Sequence, residues 1–170
     1  VPVGLTTASE FGGLNVSTTR LNGVTHNPWE HGRTAGGSSG GSASAVAGGL
    51  LTMASGGDGG GSIRIPAGFN GLPGLKGTAG RIPRGPHTGI HPMTVALGLL
   101  CRSIRDIARY YDVVCGYDSR DPYSLPGPTG WERTLGSHLG DLHGARVAIV
   151  ADLGVATVRP AIADLVRDAG

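Results

Sequence analysis

The stretch "GGSSGGSASAVAGGLLTMASGGDGGGSIRIPAG", residues 36–68, carries glycine runs on both sides of a small-residue segment, and the second run ends on Ser62. Glycine is costly in ordered backbone because it loses the most conformational freedom on folding. Two such runs, so close to apolar segments, call for a reason other than flexibility. A bland solvent loop leaves the embedded Asp58 and the apolar flanks unexplained. A phosphate cradle fails on spacing: no GxGxxG frame fits, and Lys76 stands outside any GxxxxGK[ST] frame. A GxSxG nucleophile elbow fails too, because Ile63 and Arg64 follow Ser62. The reading that remains is chemical. Consecutive glycines let several backbone N–H groups turn together toward one negative oxygen, and a serine at the end of the run stands where an attacking hydroxyl belongs.

Composition bounds the rest. The chain has 170 residues and 32 glycines, well above the usual share of about 7%. Apolar residues make up 39% and are spread throughout, so this is no glycine linker. A net charge of +2, scattered along the chain, excludes a nucleic-acid surface. No apolar run is long enough to span a bilayer. The start, "VPVGLTTASEFGG", lacks the basic and apolar regions of a signal peptide and an initiating methionine. Both ends read as the interior of a longer chain. Cys101 and Cys115 are the only cysteines, too few for a disulfide framework or a zinc site, and a reducing cytoplasm is the expected compartment. No histidine has a clear claim as a base. His87 and His91 are four apart, but Pro86, Gly89 and Pro92 forbid a helix between them.

Outward from the glycine runs, residues 1–35 read as turns and short extended pieces. Residues 42–51 read as a helix with Ala43, Val46, Ala47 and Leu50 on one face. Residues 50–55 read as a short buried strand. Residues 103–115 are the clearest helix: Ser103 caps it with Asp106 three positions on, Ile104, Ile107, Ala108 and Tyr111 form its stripe, and Gly116 ends it. Residues 117–141 read as a long loop. "ARVAIV", 145–150, reads as a buried strand, and a helix is predicted from about Pro160, with Ile162, Leu165 and Val166 inside. The succession of strand and helix predicts α/β architecture.

Residues 36–83, with "HNPWEHGRTAGGSSGG" (26–41) before and "RSIRDIARYYDVVCGYDSRDP" (102–122) after, closely resemble the amidase signature family. The resemblance spans about residues 10–122 and thins beyond. It implies a mixed β-sheet covered by helices on both sides, with residues 1–170 as the central part of a single domain. It implies amide hydrolysis by a Ser–Ser–Lys triad without metal or organic cofactor. Ser62 matches the nucleophile, and Ser38 matches the bridging serine that the family holds after a cis peptide bond. Gly59, Gly60, Gly61 and Ser62 match the backbone donors of the oxyanion hole. Asp58 and Arg64 match a bracing pair. From spacing alone Ser38 and Ser39 serve equally well as helix caps, and Ser39 stays free to cap when Ser38 is catalytic.

Lys76, the only lysine, matches the "GLK" turn rather than the catalytic position. The family's lysine lies several dozen residues before the bridging serine, and no lysine precedes Ser38 here. The base is therefore expected outside this chain, together with much of the C-terminal part, and residues 1–170 by themselves are expected to be inactive. The sequence departs from the family at Gly57 and Gly59, which stand in "GDGGGS" where "TDTGGS" is common, and at Gly77, which replaces the proline of "LKPT". Two further readings stay open. One is the glutaminase subunit of a tRNA-dependent amidotransferase, whose usual "GGSIRQPA" has glutamine where this chain has Ile65. The other is a non-catalytic paralogue on the same scaffold. The expected partner is a small-molecule amide, with no nucleic acid and no membrane; a homodimer stays open.

Overall fold

A computed structural model of the chain describes residues 1–86, 93–127 and 129–169. They form two units, Val1–Leu135 and Gly136–Gly170.

The first unit is organised by one antiparallel strand pair. Strand β3 (Met53–Asp58) pairs with β4 (Ala96–Cys101), in register from Met53 opposite Cys101 to Asp58 opposite Ala96. A smaller pair, β1 (Thr18–Thr19) with β2 (Gly23–Val24), lies upstream. β4 reads "ALGLLC", apolar without alternation, because both its faces are covered. Leu100 packs on one face with Ala43 of helix α1 (Gly40–Ala47) and with Ile63 and Ala67, the latter in helix α2 (Arg64–Asn70). Leu99 and Cys101 point the other way, onto Ile107 and Tyr111 of helix α3 (Ile104–Val114). Alternation along the strand thus sends neighbouring residues into two cores, giving an α/β arrangement with helices on both faces.

Helix α1 begins earlier and ends earlier than the expected 42–51. Glycine is a poor helix former, so the spacing gave no reason to include Gly40 and Gly41. Tertiary packing includes them: Gly41 donates to the Thr7 carbonyl at 3.0 Å, and a Cβ on Gly41 would collide with the Thr7 backbone. At the other end Gly48 caps the helix, and Leu50 is 81% exposed rather than on the inner face. The Arg102 guanidinium reaches the Val46 carbonyl at 3.3 Å, satisfying a carbonyl in the last turn. Strand β3 likewise starts three residues later than expected and runs into the glycines. A Cβ on Gly56 would stand 2.7 Å from Ser39 Oγ, so the strand packs closely on the start of α1.

Helix α3 follows its sequence signals. Ser103 Oγ accepts the Asp106 N–H at 3.1 Å and donates to the Asp106 carboxylate at 2.7 Å. Ile104, expected inside, is exposed; Ile107, Ala108 and Tyr111 are the buried stripe. The predicted loop 117–141 contains a short helix, α4 (Trp131–Thr134), and a 3-10 turn at Leu139–Leu142. The cap of α4 is distant in sequence: the Asp112 carboxylate accepts the N–H groups of Trp131 at 2.8 Å and Glu132 at 2.9 Å. Trp131 stacks on Tyr111 at 5.5 Å.

Tyr111 also accounts for the glycine at 77. Its ring is buried, which pushes the phenol up to about 12. A Cβ on Gly77 would stand 2.6 Å from the hydroxyl oxygen. Gly77→Ala is therefore expected to destabilise the protein by about 1–3 kcal/mol, the usual cost of overpacking. Thermal unfolding checks it, and Tyr111→Phe in the same background should recover part of the loss. A Gly77→Ala protein as stable as the parent would refute this account of the residue.

In the second unit, helix α5 (Pro160–Asp168) starts at the expected proline. The strand expected at 145–150 is not formed, and Val147, Ile149 and Val150 are exposed. A strand needs a partner ladder for its N–H and C=O groups, and this unit supplies none among the described residues. Ile162, Leu165 and Val166, expected on an inner face, are exposed as well.

Candidate active site

Strand β3 ends on Asp58 and helix α2 begins at Arg64, so residues 59–63 form the turn between them. Asp58 organises this turn. Its carboxylate is fully buried. Oδ1 accepts the Gly61 N–H at 2.7 Å; Oδ2 accepts the N–H groups of Ile63 at 3.2 Å and Arg64 at 3.3 Å. The Arg64 guanidinium closes on both oxygens, Nε at 2.9 Å and Nη2 at 3.0 Å. Burial by itself would raise the carboxyl pKa. The Arg64 side chain and the three backbone donors outweigh it and hold the group well below the usual carboxylate range. The predicted bracing pair is thus an ion pair that also satisfies the first turn of α2, where a negative charge is favoured. Gly61 sits at φ +118°, a conformation that L side chains rarely adopt.

Lys76 supports the same turn from behind. Its ammonium donates to the Gly59 carbonyl and the Thr94 carbonyl, each at 2.7 Å, and lies 3.7 Å from Asp58 Oδ1. These bonds agree with a role in the loop's architecture.

The second serine arrives on the segment leading into α1. The Gly37–Ser38 peptide bond is cis. The Ser38 carbonyl accepts the Ser9 N–H at 3.1 Å, and the Ser17 hydroxyl reaches the carbonyls of Gly36 at 3.0 Å and Ser38 at 3.1 Å. Ser39 stands at the N-cap of α1, and its hydroxyl makes no capping bond. It is packed against Gly56 instead. Ser17 takes over part of the task, accepting the Gly40 N–H at 3.0 Å. The link from Ser39 to the site is through backbone: its N–H donates to the Ser62 carbonyl at 3.2 Å, joining the two serine segments. Ser9 and Ser17 are buried and hold the Ser38 loop, and sequence reasoning missed both. They lie in a polar, turn-rich stretch where nothing local marks a buried serine.

Ser38 and Ser62 line one cavity of about 680 Å³, with Gly59, Gly60, Phe11 and Val95 among its walls. A smaller cavity of about 320 Å³ shares Ser62 and Gly60 and adds Asn15 and Ile65. Of the four donors expected to face an oxyanion, Gly61 differs from the rest in its surroundings. Its N–H is committed to Asp58 and it does not line the larger cavity, whereas Gly59, Gly60 and Ser62 do. His87 and His91 lie outside the described residues. The rings of His26 and His31 lie 3.9 Å apart, tilted by 36°, and line neither serine cavity. Among the described residues no three His, Cys, Asp or Glu side chains converge as metal ligands. No helix among them is long and apolar enough to cross a membrane. Two hydroxyls at one cavity, beside a glycine turn whose backbone is fixed by the buried Asp58 carboxylate, suit attack on a carbonyl and stabilisation of the oxygen that becomes negative.

Comparison with known proteins agrees with this chemistry. The Amidase family model matches residues 1–170. An acylamidase of Rhodococcus erythropolis is 39% identical over 171 residues, covering 98% of this chain and 35% of that protein. One of the subunits of the glutamyl-tRNA(Gln) amidotransferase of Methanospirillum hungatei is 38% identical over 167 residues, covering 98% and 38%. Among solved structures, a bacterial aryl acylamidase of the amidase signature enzymes superposes with a TM-score of 0.81 at 34% identity, covering 95% of this chain and 33% of that one. The chain thus shares the α/β fold of those enzymes and spans about a third of the length of the relatives it matches. With its glycine turns, its paired serines and a family match along its whole length, this chain belongs to the amidase family.

Proposed function

We propose that the protein carrying this chain hydrolyses amides through a serine acyl-enzyme, releasing a carboxylate and ammonia or an amine. The observation that carries the reading is the shared cavity of Ser38 and Ser62 with the Gly59–Gly60 backbone in its wall. In this mechanism a neutral lysine outside residues 1–170 takes a proton from Ser38, and Ser38 takes one from Ser62. Ser62 Oγ attacks the carbonyl carbon, and the N–H groups of Gly59, Gly60 and Ser62 hold the oxyanion. Ser38 then delivers a proton to the departing nitrogen, the C–N bond breaks, and water cleaves the resulting ester. A small-molecule amide is the substrate. A reducing cytoplasm suits the two free thiols, Cys101 and Cys115. The test is labelling with a fluorophosphonate, mapped by mass spectrometry, alongside release of ammonia from primary amides. A label at Ser62 and amide turnover are expected; a label elsewhere would move the nucleophile.

The glutaminase reading is the second, because one matched relative belongs to such an amidotransferase. Ile65 speaks against it: an apolar side chain lines the smaller cavity beside Ser62 where that class has an amide. Ammonia release from glutamine together with copurifying subunits would favour the second reading.

Lys76 serves as a discriminating control. Lys76→Met is expected to keep fluorophosphonate labelling of Ser62 within about tenfold of the parent rate, a barrier change of roughly 1.4 kcal/mol. Its ammonium is engaged with two carbonyls, and a terminal base needs a free lone pair. Abolished labelling in a folded Lys76→Met protein would make Lys76 the base and overturn the placement of the lysine outside this chain.

A further inference from the structure

The wall of the serine cavity that faces the glycine turn is built by a residue the family resemblance does not assign. The β3–β4 register pairs Asp58 with Ala96, so its extension by one residue sets Val95 opposite Gly59, with Gly57 on the diagonal. Neither glycine has a side chain there, and Val95 takes the space. A Cβ on Gly59 would stand 3.1 Å from Val95 Cγ2, and a Cβ on Gly57 would stand 3.9 Å from Val95 Cγ1. Where the family commonly has threonines at 57 and 59, this chain has two glycines covered by the methyl groups of Val95. Val95 lines the cavity with both serines, and none of the side chains lining that cavity among the described residues is charged.

The two sides of the cavity differ. A Cβ on Gly12 would come within 4.0 Å of Ser38 Oγ, so the Gly12 side is the side of the hydroxyl that protonates the departing amine. Val95 instead meets Gly57 and Gly59, on the turn that carries Ser62. We propose that Val95 is the residue that sets the size and polarity of the acyl group, selecting uncharged amides with a compact apolar acyl group. The proposal rests on the hydrolase reading given above. It requires Val95 to meet substrate through its methyl groups, while its backbone carbonyl is held by Arg84 Nη1 at 3.3 Å.

The experiment uses the complete protein that carries this chain. kcat/KM is measured for acetamide, butyramide, pivalamide and glutamine in the parent, in Val95→Ala and in Val95→Thr, with fluorophosphonate labelling of Ser62 followed in each. The parent should prefer butyramide to glutamine. Val95→Ala should raise the ratio of pivalamide to acetamide by about tenfold, the range expected when hydrocarbon is removed from a pocket. Val95→Thr matches valine in size and remains informative if the alanine protein fails to fold. It should lower the ratios of both butyramide and pivalamide to acetamide. Labelled Ser62 with unchanged ratios in Val95→Thr, or a parent that prefers glutamine, overturns the proposal and leaves the hydrolase reading intact. A parent protein without label at Ser62 overturns the hydrolase reading and the proposal with it.

Discussion

Ser62→Ala is expected to lower kcat for amide hydrolysis by about 10⁴-fold or more and to abolish covalent labelling by fluorophosphonates. A nucleophile acts as a unit with its base, so losing the attacking oxygen removes the whole covalent route rather than one increment of it. The substitution isolates the chemistry because the structural work of residue 62 runs through its backbone. Its carbonyl accepts the Ser39 N–H, and alanine retains that bond. The neighbouring N–H groups stay fixed by Asp58. The stability of the variant should therefore match that of the parent, while activity and labelling disappear together. Turnover that survives in Ser62→Ala would mean that another residue attacks the carbonyl.

The second large effect is expected on stability. Asp58→Asn should cost about 3 kcal/mol, the upper end for buried backbone donors left without their charged acceptor, because the half-exposed Arg64 guanidinium regains solvent. The asparagine keeps one acceptor oxygen where the carboxylate had two, and its NH₂ would face the donors of the turn or of Arg64. Those donors are the N–H groups of Gly61, Ile63 and Arg64 together with the guanidinium. Urea unfolding at neutral pH measures the loss. The pH dependence has a defined sign. The carboxyl pKa is lowered on folding, so the contribution of Asp58 is complete above the unfolded value of about 3.9 and is lost as pH falls through the folded value. The gap between parent and variant should hold steady from neutral pH down to about 4 and narrow below it. A gap that stays constant as the medium is acidified further would remove Asp58 as its source. Labelling of Ser62 should also slow in this variant, because the turn that presents the serine is the turn that Asp58 holds.

The family, the two serines and the bracing pair were legible in residues 36–83, because the motif packs its chemistry into local spacing. The helix at 104–114 was legible for the same kind of reason, since Ser103 and Asp106 cap it from within. Other elements depended on residues far away in the chain. Gly40 and Gly41 are helical because Thr7 and Ser17 meet them, and α4 is capped by Asp112. The strand expected at 145–150 had the composition of a strand and no partner for its ladder among the described residues of its unit.

What the sequence determined by itself was therefore the family and an inventory of candidate groups: Ser38, Ser62, and a glycine turn with Asp58 and Arg64. Which backbone donors of the turn already have a partner was decided by tertiary structure, because Asp58 claims the Gly61 N–H. So was the anchoring of the Ser38 loop by the buried Ser9 and Ser17, and so was the covering of Gly57 and Gly59 by Val95 from the paired strand. The physical reason is common to all three. A hydrogen-bond donor or an empty Cβ position takes its meaning from the group that meets it, and in each case that group arrives from another part of the chain only on folding.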